Sequence, residues 1–263
     1  MSRLWAQVRE LLLGQTRNIL VWGFSMGLLG AMYMALFPSM GRLVQGYLDA
    51  LPAAYLQFLG MEVGMGTPQG WLAMEMFNMV APIALPFFTI LLGARAVAGA
   101  EERGRLDVLL SNPVPRWQLV VSHFLAMTAG LVGILVLLFA LTWGAGVAAG
   151  VDLGPGPIAA GSLNLLPFCL FFGGLALLLS TLVRRAALAI ALPGAVLVAM
   201  YVINGVGAVS DTLRPLRPIS LFYHYGSAVE HSLPWVSFLL ILAGSLVLMG
   251  LAVAAFARRD IYT

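Results

Sequence analysis

RAVAGAEERGRLDVLLSNPVPR, residues 95–116, is the polar exception in an apolar chain. It holds four arginines, three carboxylates and two prolines, and a long apolar run lies on either side of it. Most of the remaining sequence has the composition of a lipid-facing surface, whereas this piece suits water and a soluble partner. If it is a loop in water, the runs that flank it are membrane spans, and the fold follows from counting the others.

Composition supports that reading. The chain has 263 residues, is 61% hydrophobic and 10% charged, and has a mean hydropathy of +0.95. A soluble surface needs more charge than this, so the expected class is an all-α integral membrane protein. Its fourteen basic residues are all arginine. A phosphate loop of the G-x-x-x-x-G-K-[ST] type needs lysine, as does Schiff-base chemistry, so neither belongs to this chain. The net charge of +3 is better explained by topology than by nucleic acid, and no nucleic-acid partner is expected. The single cysteine, Cys169, lies in an apolar run and excludes an intrachain disulfide. The first apolar run is too long for a signal-peptide core and is read as a retained span.

Six spans are expected, at 18–37, 71–93, 119–147, 161–183, 186–206 and 235–257, in one transmembrane domain. Before them, Leu4, Trp5, Val8, Leu11 and Leu12 recur at helical spacing, which predicts an amphipathic interfacial helix over 1–17. Gly23, Gly27 and Gly30 leave one face of the first span without bulk, fit for close approach of another helix. Glu75 is the only carboxylate placed inside a span and is a candidate functional residue. Pro82 and Pro86 should kink the second span. Segments 38–70 and 208–234 are placed outside the cell, the second dipping into the interface by its aromatic content. His224, Glu230 and His231 lack any metal-binding pattern, and no metal is expected.

The arginines test this plan. With both termini inside, eleven of them (3, 9, 17, 95, 103, 105, 116, 184, 185, 258 and 259) fall on the cytoplasmic side and three (42, 214 and 217) outside. All six tryptophans (5, 22, 71, 117, 143 and 235) fall near proposed water–lipid boundaries, as an aromatic belt requires. The expected location is the bacterial inner or plasma membrane.

Motifs for chemistry are missing. The sequence has no P-loop, H-E-x-x-H or G-x-S-x-G, and no enzymatic activity of its own is expected. What remains is residues 95–116. Ala96 to Leu110 are good helix formers, and Glu101 and Arg105 form an i,i+4 pair in the favourable order. Leu106, Leu109 and Leu110 give an apolar edge, and Pro113 and Pro115 stop the helix before the chain re-enters the membrane. A charged helix with one apolar edge suits a groove on a soluble protein. An ordinary solvated loop fits the same residues.

Three patches resemble the membrane subunits of ABC-2-type transporters. AEERGRLDVLLSNPVPR, 100–116, is similar to the E-x-x-x-G-T-L-x-x-L-L-x-x-P-[VI]-S-R run after that family's second span, with Arg105 and Pro115 in place of Thr and Ser. LRPISLFYHY, 216–225, resembles the aromatic segment before the last span, and FARRDI, 256–261, the F-x-R-R-D ending. The resemblance implies a permease paired with a second permease subunit, identical or related, and with cytoplasmic ABC ATPase subunits. ATP and Mg would be held by those ATPases, with no cofactor in this chain. It places Glu101, Glu102, Arg103, Gly104, Arg105, Leu106, Leu109 and Leu110 at the ATPase-coupling helix. It also makes Met26, Met34, Met200 and Asn204, with Glu75, candidate lining of the pathway. The expected cargo is a hydrophobic or amphipathic small molecule (a drug, antibiotic or lipid-like compound), exported. The competing readings are an intramembrane enzyme acting on lipid or peptide at Glu75 or His224–His231, and a six-span assembly scaffold.

Overall fold

The computed structural model describes residues 2–48, 67–104 and 115–259, and among these every regular element is helical. The long helices are α1 (Ser2–Leu48), α2 (Pro68–Ala96), α4 (Arg116–Ala148), α5 (Pro155–Leu182), α6 (Ala186–Val209) and α9 (Trp235–Arg258). Each of these six contains a stretch long and apolar enough to cross a membrane. The short helix α3 (Ala98–Glu102) follows α2, and a 3-10 helix (Arg214–Ile219), α7 (Leu221–Tyr225) and α8 (Ala228–His231) lie between α6 and α9.

The first helix corrects the expectation of a separate interfacial helix over 1–17. α1 runs 47 residues without a break at 17 or 18, where the sequence offers neither proline nor a glycine pair. At 1.5 Å per residue it is about 70 Å long, more than twice the ~30 Å hydrocarbon core, so it projects beyond lipid. Its amphipathic stripe faces the bundle: Val8 is buried and Leu4, Leu11 and Leu12 are half-buried, while Trp5 is exposed. Helix also continues past Pro38, into the segment placed outside the cell.

α2 and α5 form the centre. Gly93 and Gly173 bring them together so closely that a Cβ on Gly93 would lie 2.4 Å from the Gly173 carbonyl oxygen. The Thr89 hydroxyl lies 2.7 Å from the Cys169 carbonyl oxygen and 2.9 Å from that of Pro86, so one buried hydroxyl joins the two helices. α1 packs on α4 through its glycine face: a Cβ at Gly23 would meet Leu137, at Gly27 Leu141 and at Gly30 Thr142. That face serves packing within the chain. α9 lies against α5, and α6 against α2 and α5.

Pro82 and Pro86 do not end α2, and the turn just before Pro82 is wider than an α-helical one. Ala73–Val80 is π-helical, and the Ala81 N–H donates to Met76, five residues back. In that register Phe77 would accept from residue 82, which is proline and has no N–H. Tyr225 takes the vacant place, its hydroxyl donating to the Phe77 carbonyl at 3.0 Å, while the Asn164 amide donates to the Tyr225 carbonyl at 2.8 Å. Tyr225→Phe is therefore expected to strand a buried carbonyl and cost about 1–2 kcal/mol. Thermal denaturation of the detergent-solubilised protein checks this, with Tyr223→Phe, exposed and outside this contact, as the control.

Candidate functional site

Chemistry-bearing side chains gather at the arginine-rich end of the bundle. The chain leaves α2 at Val97, turns, and forms α3 from small residues: Ala98, Gly99 and Ala100 are buried against the helix ends. Gly104 closes the turn with φ +62°, its N–H donating to the Glu101 carbonyl at 2.9 Å. Among the described residues no atom lies within 4 Å of where its Cβ would stand, and the positive φ is what selects glycine here.

The two carboxylates of α3 are engaged inside the chain. Glu101 accepts from Arg259 at 2.8 Å, beyond the end of α9, and lies 3.8 Å from Arg184, in the turn between α5 and α6. Glu102 accepts from the Ala186 N–H at 2.8 Å. That N–H belongs to the first turn of α6, which has no side-chain cap of its own, so the carboxylate satisfies an orphan donor and complements the helix dipole. At the opposite polarity, the Arg116 guanidinium meets the C-terminal carbonyls of α9. It lies 2.7 Å from the Arg259 oxygen and 3.4 Å from that of Phe256, whose ring it also covers at 5.9 Å. One clasp thus binds α3 and the neighbouring ends of α4, α6 and α9.

Of the residues expected at a coupling helix, Glu101, Glu102, Arg103 and Gly104 stand at this clasp, Arg103 and Gly104 exposed. Arg105, Leu106, Leu109 and Leu110 lie outside the described residues. The partners Arg116, Arg184 and Arg259 were legible only as topology markers; nothing in their spacing announced that they meet.

The candidate pathway residues do not converge. Met34 is fully buried and Met26 nearly so, both packed inside the bundle. The Gly146 Cβ position faces the Met34 sulfur at 3.6 Å. Met200 and Asn204 are half-buried on α6 beside the 3-10 helix: Ser220 donates to the Met200 carbonyl and Arg217 to the Asn204 side chain. Glu75 sits in the π-helical turn, close to the Tyr33 hydroxyl of α1. It is half-buried on a helix that crosses lipid. A charged side chain at the centre of a span costs about 2.5–3.5 kcal/mol, and Glu75 stands nearer the start of α2, where the cost is smaller. His224 is bonded to the Pro218 carbonyl at 2.8 Å, and His123 to the Leu119 carbonyl of its own helix, also at 2.8 Å.

Comparison with known proteins gives one family. The sequence pattern described as ABC-2 family transporter protein matches residues 12–261, which takes in α1 from residue 12 on, the other five long helices and the clasp. No curated protein matches the chain.

Proposed function

The chain belongs to the ABC-2 family of transporter proteins and is a membrane permease component of an ABC transporter; from that premise we propose that it exports a hydrophobic or amphipathic small molecule. Separate cytoplasmic ATPase subunits supply the energy, and a second permease subunit, identical or related, completes the pathway. Both termini are cytoplasmic, in the arginine-rich compartment.

The observation that carries this reading is the clasp. α3 follows α2 directly and holds α6 through Glu102 and α9 through Glu101. A force on the segment after α3 therefore reaches two more spans through the Glu102 and Glu101 side chains. The apolar edge Leu106, Leu109 and Leu110 is the docking surface, and the carboxylates are the link to the bundle. Glu75 with Tyr33, and Met200 with Asn204, are the polar and half-polar points that a cargo meets in an otherwise apolar path.

Co-purification tests the docking half. Leu106→Asp is expected to lose the ATPase from the complex while the permease still elutes as a folded species. Full retention of the ATPase, with normal transport, would remove residues 105–110 from the contact.

A further inference from the structure

The sequence LRPLRPI, residues 213–219, repeats every three residues, and the structure gives it a helix of that same period. Pro215 and Pro218 donate no backbone hydrogen bond, so an α-helical ladder has gaps. The bonds that form are of i to i−3 type, from Leu216 to Leu213 at 3.0 Å and from Ser220 to Arg217 at 3.0 Å. Residues three apart eclipse in a 3-10 helix. Leu213, Leu216 and Ile219 therefore make one apolar ridge, and all three are open, at 39%, 43% and 63% exposure.

The ridge is not at the membrane surface alone. Beyond Val209 the chain turns back along α6: Gly207 admits the Leu213 carbonyl and the stem of Arg217, at 3.2 and 3.3 Å from its Cβ position. Ser220 reaches the Met200 carbonyl at 2.7 Å, and Met200 lies nine residues, or about 14 Å, before the end of α6. The 3-10 helix thus descends about 10 Å from Arg214 to Ile219.

The arginines complete the pattern. Two of the three placed at the arginine-poor end lie in this one segment. Arg217 is accounted for inside the fold: its Nε donates to Asn204 at 3.1 Å and its guanidinium lies 5.3 Å from the Tyr223 ring centroid. Arg214 is exposed, has no partner among the described residues, and stands at the shallow end of the ridge.

We propose that residues 213–219 hold a phospholipid of the leaflet at the arginine-poor end, its phosphate on Arg214 and an acyl chain along Leu213, Leu216 and Ile219. The order in depth, cation above and apolar ridge below, is that of the lipid itself. Phosphate is also the anion that this depth supplies, and lipid covers a ridge that water would leave unfavourably exposed. The site is independent of the cargo and of the ATPase.

Cys169, the one native cysteine, is fully buried, so an added cysteine can be labelled alone. Leu216→Cys and Ile219→Cys, each carrying a nitrobenzoxadiazole dye, are to be placed in phosphatidylcholine vesicles with and without phosphatidylglycerol. Nitroxide-bearing phosphatidylcholine should quench both dyes and aqueous iodide neither, and the nitroxide depth of best quenching should be greater at 219. Quenching by iodide would overturn the proposal. So would protection from both quenchers together with a disulfide between two unlabelled Leu216→Cys chains, which would assign the ridge to a second copy. Arg214→Gln should retain one phosphatidylglycerol fewer per chain than the parent protein by native mass spectrometry, and equal retention would remove Arg214 from the site.

Discussion

Glu101→Gln is expected to leave the ATPase bound and hydrolysing ATP while transport per ATP falls about tenfold. The carboxylate joins Arg259 at 2.8 Å and stands 3.8 Å from Arg184, and it is the only described side-chain link between α3 and the end of α9. Glutamine keeps the shape and one acceptor but removes the charge. A charge-assisted hydrogen bond contributes about 1.5–3 kcal/mol when shielded, and less when water reaches it. Glu101 and Arg259 are partly shielded, at 29% and 17% side-chain exposure, and Arg184 at 77% adds little. A loss near 1.4 kcal/mol is a tenfold change in the equilibrium between two arrangements of the helix ends, which sets the expected size. ATP hydrolysis and cargo flux are to be measured on the same vesicles. The exchange Glu101→Arg with Arg259→Glu should recover part of the flux, because the pair is restored with its polarity reversed. Unchanged flux in Glu101→Gln would mean the clasp is structural only. Loss of the ATPase would mean Glu101 itself touches it.

The six long helices were legible because lipid leaves few choices: backbone groups must be satisfied within each apolar run, and arginines mark the ends. The all-α class follows from the same features, while the family resemblance rests on the patches at 100–116, 216–225 and 256–261. The π turn was not legible. Pro82 announced a disturbed helix, but the residue that accepts the consequence, Tyr225, lies 148 positions from Phe77 and looks like any interfacial aromatic. The clasp was hidden for the same reason: Glu101 and Arg259 are 158 residues apart. Local spacing offered Glu101 the nearer Arg105 instead. Along α1 the error was of a different kind. Periodicity at Leu4, Val8, Leu11 and Leu12 revealed a stripe but not what it faces, and a bundle and a membrane surface select the same residues. The glycines of α1 likewise predicted close approach without naming Leu137, Leu141 and Thr142 as the neighbours.

Gly93→Val is expected to abolish the folded permease at physiological temperature. The ideal Cβ position lies 2.4 Å from the Gly173 carbonyl oxygen, 2.8 Å from the Leu177 amide nitrogen and 3.2 Å from the Ala176 Cβ. The first two are backbone atoms of α5, so no side chain can turn aside, and relief requires α2 and α5 to part. Separation would also stretch the contact from Thr89 to Cys169, whose 2.7 Å distance depends on the same approach. Overpacking in a well-packed interior costs about 1–3 kcal/mol even where side chains can yield. Here they cannot, in a contact driven by close packing because lipid gives helices little other reason to associate. Gly93→Ala should already lower thermal stability measurably, and valine should leave little monodisperse protein on size-exclusion chromatography after solubilisation. Gly144→Ala, on α4 with open space within 4 Å of its Cβ position, should be neutral or slightly stabilising, since alanine favours helix. A Gly93→Val protein as stable as the parent would show that α2 and α5 are not in contact there, and that the centre of the bundle lies elsewhere.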